Sequence, residues 1–151
     1  MTGRWDSEEL SIDFPPKAEY VSLARHAVAA MARLSSVADS VVEDAKLAVS
    51  EACTNAVTSN ARLSEKEPVR LRAVRSSDSL VIEVVDRGGA SPGGLSAGGQ
   101  SDGFSSQEFS LETNLSLPLI RGLVDDLEIL VQDDGERVVR MRLPARLDDT
   151  A

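Results

Sequence analysis

Between Ser40 and Asn60, the residues Val41, Ala45, Ala48, Val49, Ala52, Cys53 and Ala56 recur at steps of three and four. At about 100° per residue they fall on one apolar stripe, so this segment must be a helix with that stripe turned to a core. Glu51 and Asn55 lie side by side on the flank of the stripe, because residues four apart share a helix face. A polar pair at the edge of a core face can point into a partly enclosed pocket while the helix stays packed. Cys53, on the stripe itself, is expected as a buried and inert thiol.

The flanking segments supply the rest of a fold. Leu10 to Phe14 alternates apolar and polar, which fits a half-buried strand ended by Pro15-Pro16. Lys17 to Leu34 carries Val21, Ala24, Val28 and Met31 at helical intervals, and Asp39 or Ser40 can cap the helix that follows. Strands are expected over Val69 to Arg75 and Leu80 to Val85, joined by a turn at Ser76 to Ser79. From Arg87 to about Thr113 the chain holds seven of its ten glycines, and a stretch this long inside a compact domain predicts a mobile lid.

Leu115 to Val124 predicts a short third helix, with Ser116 as its cap and Pro118 in its first turn. Two closing strands, Leu127 to Gln132 and Glu136 to Leu143, flank the hairpin signal Asp133-Asp134-Gly135. The order mixes helices with antiparallel hairpins, so the class is α+β with helices layered on one sheet face. One domain over residues 10–144 is expected, with flexible tails at 1–9 and 145–151.

Composition narrows the function. The 151 residues include 16 Lys+Arg against 25 Asp+Glu, a net charge of −9. Nucleic acid is therefore not the expected ligand, since phosphate backbones call for a dense basic face. The densest basic run, Arg62, Lys66, Arg70, Arg72 and Arg75, is interrupted by acids and predicts a solvated face. With one Cys and one His the chain forms no intrachain disulfide and lacks the usual zinc ligands. No signal peptide is visible, and no apolar run approaches the roughly 20 residues that span a bilayer. A cytoplasmic protein without membrane contact is expected.

The candidate chemistry lies in Glu51, Asn55 and the turn Asp86-Arg87-Gly88. Phosphoryl transfer needs charge neutralisation by a metal, a group that positions the attacking oxygen, and close backbone approach to the nucleotide. An amide oxygen suits Mg²⁺, which keeps several waters and takes one or two protein groups. An acidic side chain at a strand end can accept a hydrogen bond from an exocyclic base amine, and a following glycine lets a ring lie against the backbone. Taken singly, the Glu/Asn pair is equally a polar helix edge, and Asp-x-Gly after a strand is equally a turn.

Their order resembles a known family. Leu47-Ala-Val-Ser-Glu51-Ala-Cys-Thr-Asn55-Ala-Val resembles the N-box of the GHKL (Bergerat-fold) ATPases, and more closely that of the bacterial anti-sigma factor serine kinases of the RsbW/SpoIIAB type. Val81-Ile-Glu-Val-Val-Asp86-Arg-Gly88 resembles their G1 box. The likeness extends to Tyr20-Val-Ser-Leu-Ala-Arg25 and to the segment Leu117 to Ile129, and covers residues 10–143. It implies a two-layer sandwich of a mixed, mostly antiparallel sheet with helices on one face.

The resemblance also implies an activity: binding of Mg-ATP, sequestration of an alternative sigma factor, and phosphorylation of a serine on a small STAS-type anti-anti-sigma protein. By motif position, Glu51 would be the general base and Asn55 would hold Mg²⁺. Asp86 would bind the adenine amine, Gly88 would make room for the ring, and Ser116 would offer its hydroxyl and N–H to the phosphates. Arg25 matches an interface arginine. His26, beside it, is expected at the surface, and a homodimer fits the habit of such proteins. Ala90, Asn114 and Ser116 stand where the family carries glycines. They define the alternative: an anti-sigma binding module without nucleotide or kinase activity. An ATPase fragment of a sensor histidine kinase ranks last, as no phosphoacceptor helix is visible.

Overall fold

The computed structural model describes residues 8–35, 37–62, 67–88 and 111–145. In chain order these form β1 (Glu8–Phe14), a 3-10 turn (Ala18–Tyr20), α1 (Val21–Leu34), α2 (Asp39–Arg62), β2 (Val69–Arg75), β3 (Ser79–Asp86), α3 (Leu111–Leu123), β4 (Asp126–Val131) and β5 (Arg137–Pro144). The sheet runs β1-β2-β3-β5-β4. All four pairings are antiparallel, so the mixed sheet of the expectation is, among the described residues, antiparallel throughout.

Helix α2 is the axis of the molecule, packing on α1, α3 and the sheet strands β2, β3 and β5. Ala45, Ala48, Val49, Ala52, Cys53 and Ala56 of its stripe are buried, and Val41 is partly so. Their small side chains let the helix lie close to Leu71, Leu80, Ile82 and Met141 on the sheet. Each such large apolar side chain, fully buried, contributes roughly 1.5–3 kcal/mol. Val21, Ala24, Val28 and Met31 of α1 are buried as the spacing predicts. The acid Asp39 in the first turn of α2 favours the helix N-terminus through the macrodipole.

Alternation on the strands assigns two faces. On β3, Leu80, Ile82, Val84 and Asp86 point to the helices, while Val81, Glu83 and Val85 point away. The outward face carries an ion-pair ladder set by register: Arg72 opposes Glu83, Glu83 opposes Arg140, and Arg140 opposes Glu128. Their separations are 3.4, 2.8 and 3.1 Å, and Glu9 joins Arg72 from β1. Arg70 and Arg75 pair with Asp13 and Glu8. The arginines of β2 thus form the solvated face that the composition predicts.

Several boundaries move. β1 starts at Glu8, because Glu8 and Glu9 pair with Arg75 and Val74 and lengthen a strand that apolar alternation alone begins at Leu10. The first helical segment splits into the 3-10 turn and α1. Ala145, expected in the frayed tail, is buried, and its N–H donates to the Asp78 carbonyl at 3.3 Å. Helix α3 begins at Leu111, so Ser116 is not its cap, and Pro118 lies inside the helix rather than in its first turn. Pro118 lacks an N–H and removes one rung of the ladder, a local defect that tertiary packing around the buried Ile120 tolerates. Most of the expected lid, with Ala90, lies outside the described residues. At the closing hairpin, Gly135 has φ 91°, the left-handed geometry that its Asp-Asp-Gly signal predicts.

Candidate functional site

The alternation of β3 ends on a carboxylate. Asp86 takes the core-facing position after Val84, two residues on, and is only 2% exposed. Register sets Asp86 opposite Arg137 across β3 and β5. Arg137 Nη2 donates to Asp86 Oδ2 at 2.9 Å and to Ser59 Oγ at 3.1 Å. The Gly88 N–H donates to Asp86 Oδ1 at 2.5 Å. Burial raises the Asp86 carboxyl above the usual aspartate range, and Arg137 and the Gly88 N–H oppose that rise without cancelling it.

Gly88 is shaped by the same pair. A Cβ there would lie 2.8 Å from Arg137 Cζ and 2.8 Å from Asp86 Oδ1, so the turn accepts no side chain without moving the guanidinium. Asn60, fully buried at the end of α2, ties this corner together. Its amide donates to the Glu67 carbonyl at 3.1 Å and its oxygen accepts the Arg87 N–H at 2.8 Å. The Arg87 guanidinium donates to the Asp134 carbonyl at 2.9 Å, joining the end of β3 to the β4–β5 turn.

Helix α2 brings the second half of the constellation. Glu51, Asn55 and Ser59 are spaced four apart and each is half-buried, so they form one polar line along the helix. The line is roughly 12 Å long at 1.5 Å per residue, and it ends at Ser59, which touches Arg137. Glu51 and Asn55 are thus on the same helix edge as the Asp86 corner, two turns and one turn before it. Beside Glu51, Ser50 accepts a hydrogen bond from Arg25 at 3.4 Å, and Arg25 also reaches Ser22 at 3.3 Å. Arg25 therefore links α1 to the Glu51 end of the line. His26 is exposed, with Nδ1 2.7 Å from the Ser22 carbonyl oxygen.

Ser116 lies within α3, five residues past the helix start. An α-helix leaves its first four N–H groups without intrahelical acceptors, and here those belong to residues 111–114. The Ser116 N–H is inside the ladder. Cys53 faces the core beside Glu51, where burial pushes its thiol up to about 12, consistent with an inert residue. Among the described residues no cluster of three His, Cys, Asp or Glu side chains could cage a metal. The amide oxygen of Asn55 is of the kind that Mg²⁺ takes as one of its one or two protein ligands, and the carboxylate of Asp86 is of the kind that accepts from an amine donor.

Sequence reasoning missed Ser59, Asn60 and Arg137. Ser59 continues the four-residue spacing of Glu51 and Asn55 and was open to detection by that signal. Arg137 carries no such signal, since 51 residues separate it from Asp86.

The histidine kinase-like ATPase domain model matches residues 14–143. The serine-protein kinase RsbW of Bacillus cereus strain AH187 is 34% identical over 134 residues, covering 87% of this chain and 82% of that protein. Serine-protein kinase RsbW of Bacillus mycoides gives the same identity and coverage. That of Listeria monocytogenes serovar 1/2a is 31% identical over 87% of this chain and 85% of its own length. With its α+β fold, its antiparallel five-stranded sheet and a family match across nearly all of its length, the chain belongs to the histidine kinase-like (GHKL) ATPase domain family and is homologous to the RsbW serine-protein kinases.

Proposed function

We propose that this chain is an anti-sigma regulatory factor that binds an alternative sigma factor and, using Mg-ATP, phosphorylates a serine on a STAS-type anti-anti-sigma protein. The observation that carries the reading is the polar line of α2: Glu51 and Asn55 one turn apart on a half-buried edge that leads to the Asp86 corner. It stands in a chain 34% identical to a serine-protein kinase. Mg-ATP, when bound, supplies the phosphoryl group and neutralises its charge. Glu51 would accept the proton of the partner's serine hydroxyl, Asn55 would offer its amide oxygen to Mg²⁺, and Asp86 would accept a hydrogen bond from the base amine, with Gly88 leaving room for the ring.

Arg25, braced between Ser22 and Ser50, sits where a docked partner would sense the Glu51 end of the helix. The acidic net charge suits a partner with basic patches, as a DNA-binding sigma factor has. A cytoplasmic site of action accords with the single cysteine, and no described helix is long and apolar enough to cross a membrane.

One observation favours the second reading, a partner-binding module without kinase activity. The stretch Thr113 to Ser116, which the family resemblance assigns to the phosphates, lies within α3. Calorimetric titration with ATP, with and without Mg²⁺, separates the two. Metal-dependent binding that weakens in Asn55→Ala, with partner phosphorylation abolished in Glu51→Ala, supports the kinase. Absence of binding up to millimolar ATP overturns it in favour of the binding module.

A further inference from the structure

The corner assigned to the nucleotide base is already filled from within. Both oxygens of Asp86 accept hydrogen bonds, one from Arg137 and one from Gly88, and its side chain is 1% exposed. The flat guanidinium lies directly against Gly88, in the space that the missing side chain leaves. An N–H donor on a planar, conjugated group, stacked over a glycine and bonded to a buried carboxylate, is also how an aminopurine would present itself there. Resting on the nucleotide reading above, we propose that Arg137 is the specificity- and affinity-determining latch of the base subsite: it holds Asp86 when no ligand is present, and an aminopurine must displace it to bind.

Three features favour release of the latch. Among the described residues, Arg137 Nε is buried with no hydrogen-bond partner. An unmet buried donor destabilises the closed arrangement. The Arg137 side chain is 12% exposed, so one edge of it already faces water. Among the described residues, its hydrogen bond besides that to Asp86 goes to the neutral hydroxyl of Ser59 at 3.1 Å. That anchor lies one turn beyond Asn55 on the same edge of α2.

The consequence for binding is arithmetic. A ligand that binds only the open state has its apparent affinity reduced by the fraction of molecules that are open. If that fraction is about one in ten to one in a hundred, removal of the latch tightens binding by roughly ten- to a hundredfold. A ligand without an exocyclic amine, such as inosine triphosphate, gains less, because it has no donor to replace the guanidinium on Asp86.

The test is calorimetric titration of the full chain with ATP in the presence of Mg²⁺, for the wild type and Arg137→Ala, each checked for folding by circular dichroism. Tightening of about tenfold or more in Arg137→Ala, relative to a wild type that binds, is the expected result. Equal or weaker binding in the variant, with a wild type that binds, overturns the latch and leaves the nucleotide reading standing. Absence of binding in both overturns the latch and the nucleotide reading together. If Arg137→Ala does not fold, Arg137→Lys keeps a cation beside Asp86 but not the planar fork, and a smaller tightening is expected. In the wild type, the Nε–H resonance of Arg137 should move and exchange faster with water as ATP is added. A resonance unmoved at saturating ATP overturns the proposal.

Discussion

Strands β3 and β5 carry ion pairs on both faces, and the two sets differ in almost everything but chemistry. On the outward face Glu83, half-buried, lies between Arg72 and Arg140, and Arg140 passes on to the exposed Glu128. On the helix face Asp86 and Arg137 form one pair with side-chain exposures of 1% and 12%. Exposed pairs are screened and contribute about 0–1 kcal/mol each. A buried pair is costly to assemble and costly to break, because either partner alone is a charge without water. The ladder therefore adds little to stability pair by pair, whereas the buried pair is one that the fold cannot lose cheaply. It sits beside Gly88 and at the end of the α2 polar line.

The largest effect comes from removing one member of the buried pair. Arg137→Met should destabilise the fold by about 3 kcal/mol near neutral pH, at the low end of the range for a broken buried pair because truncation also admits water. Urea unfolding measures it, and a loss below about 0.5 kcal/mol, the size of a surface effect, would erase the contrast between the two faces.

A second prediction concerns pH. The folded carboxyl of Asp86 is raised above 3.8, so the folded state binds its proton more tightly than the unfolded chain. Its contribution to stability is thus complete below the unfolded value and is lost as pH rises through the folded one. Asp86→Asn has no such loss. The stability of the variant relative to the wild type should increase as pH climbs from below 3.8 through the raised value, and a flat or opposite difference would show that Arg137 outweighs desolvation.

The smallest effect belongs to the ladder. Glu128→Gln should cost about 0.5 kcal/mol in low salt and nothing measurable in 1 M salt, where the Debye length is about 3 Å. A larger, salt-resistant loss would mean that the outward face acts as a coupled network and not as separate pairs.

Much of this molecule follows from local pattern. The stripe of α2, the alternation of β2 and β3, the Asp133-Asp134-Gly135 hairpin and the α+β order are legible because helix and strand periods are properties of neighbouring residues. So are Glu51, Asn55 and Asp86 as candidates, since spacing and strand ends mark them. The start of α3 was misplaced by four residues, because Ser116 and Pro118 carry strong local signals for a helix start that packing overrode.

What the sequence could not determine is which distant residues meet. Arg72, Glu83, Arg140 and Glu128 come from four strands, and Arg137 reaches Asp86 only because antiparallel register sets β5 beside β3. Register is a long-range property, decided when one face of each strand is buried and a slip of one residue would turn every side chain to the wrong side. The sequence alone thus determined the elements and the chemistry they carry. Tertiary structure alone decided that the base-binding carboxylate candidate is closed by an arginine, because only the packed sheet brings the two charges together away from water.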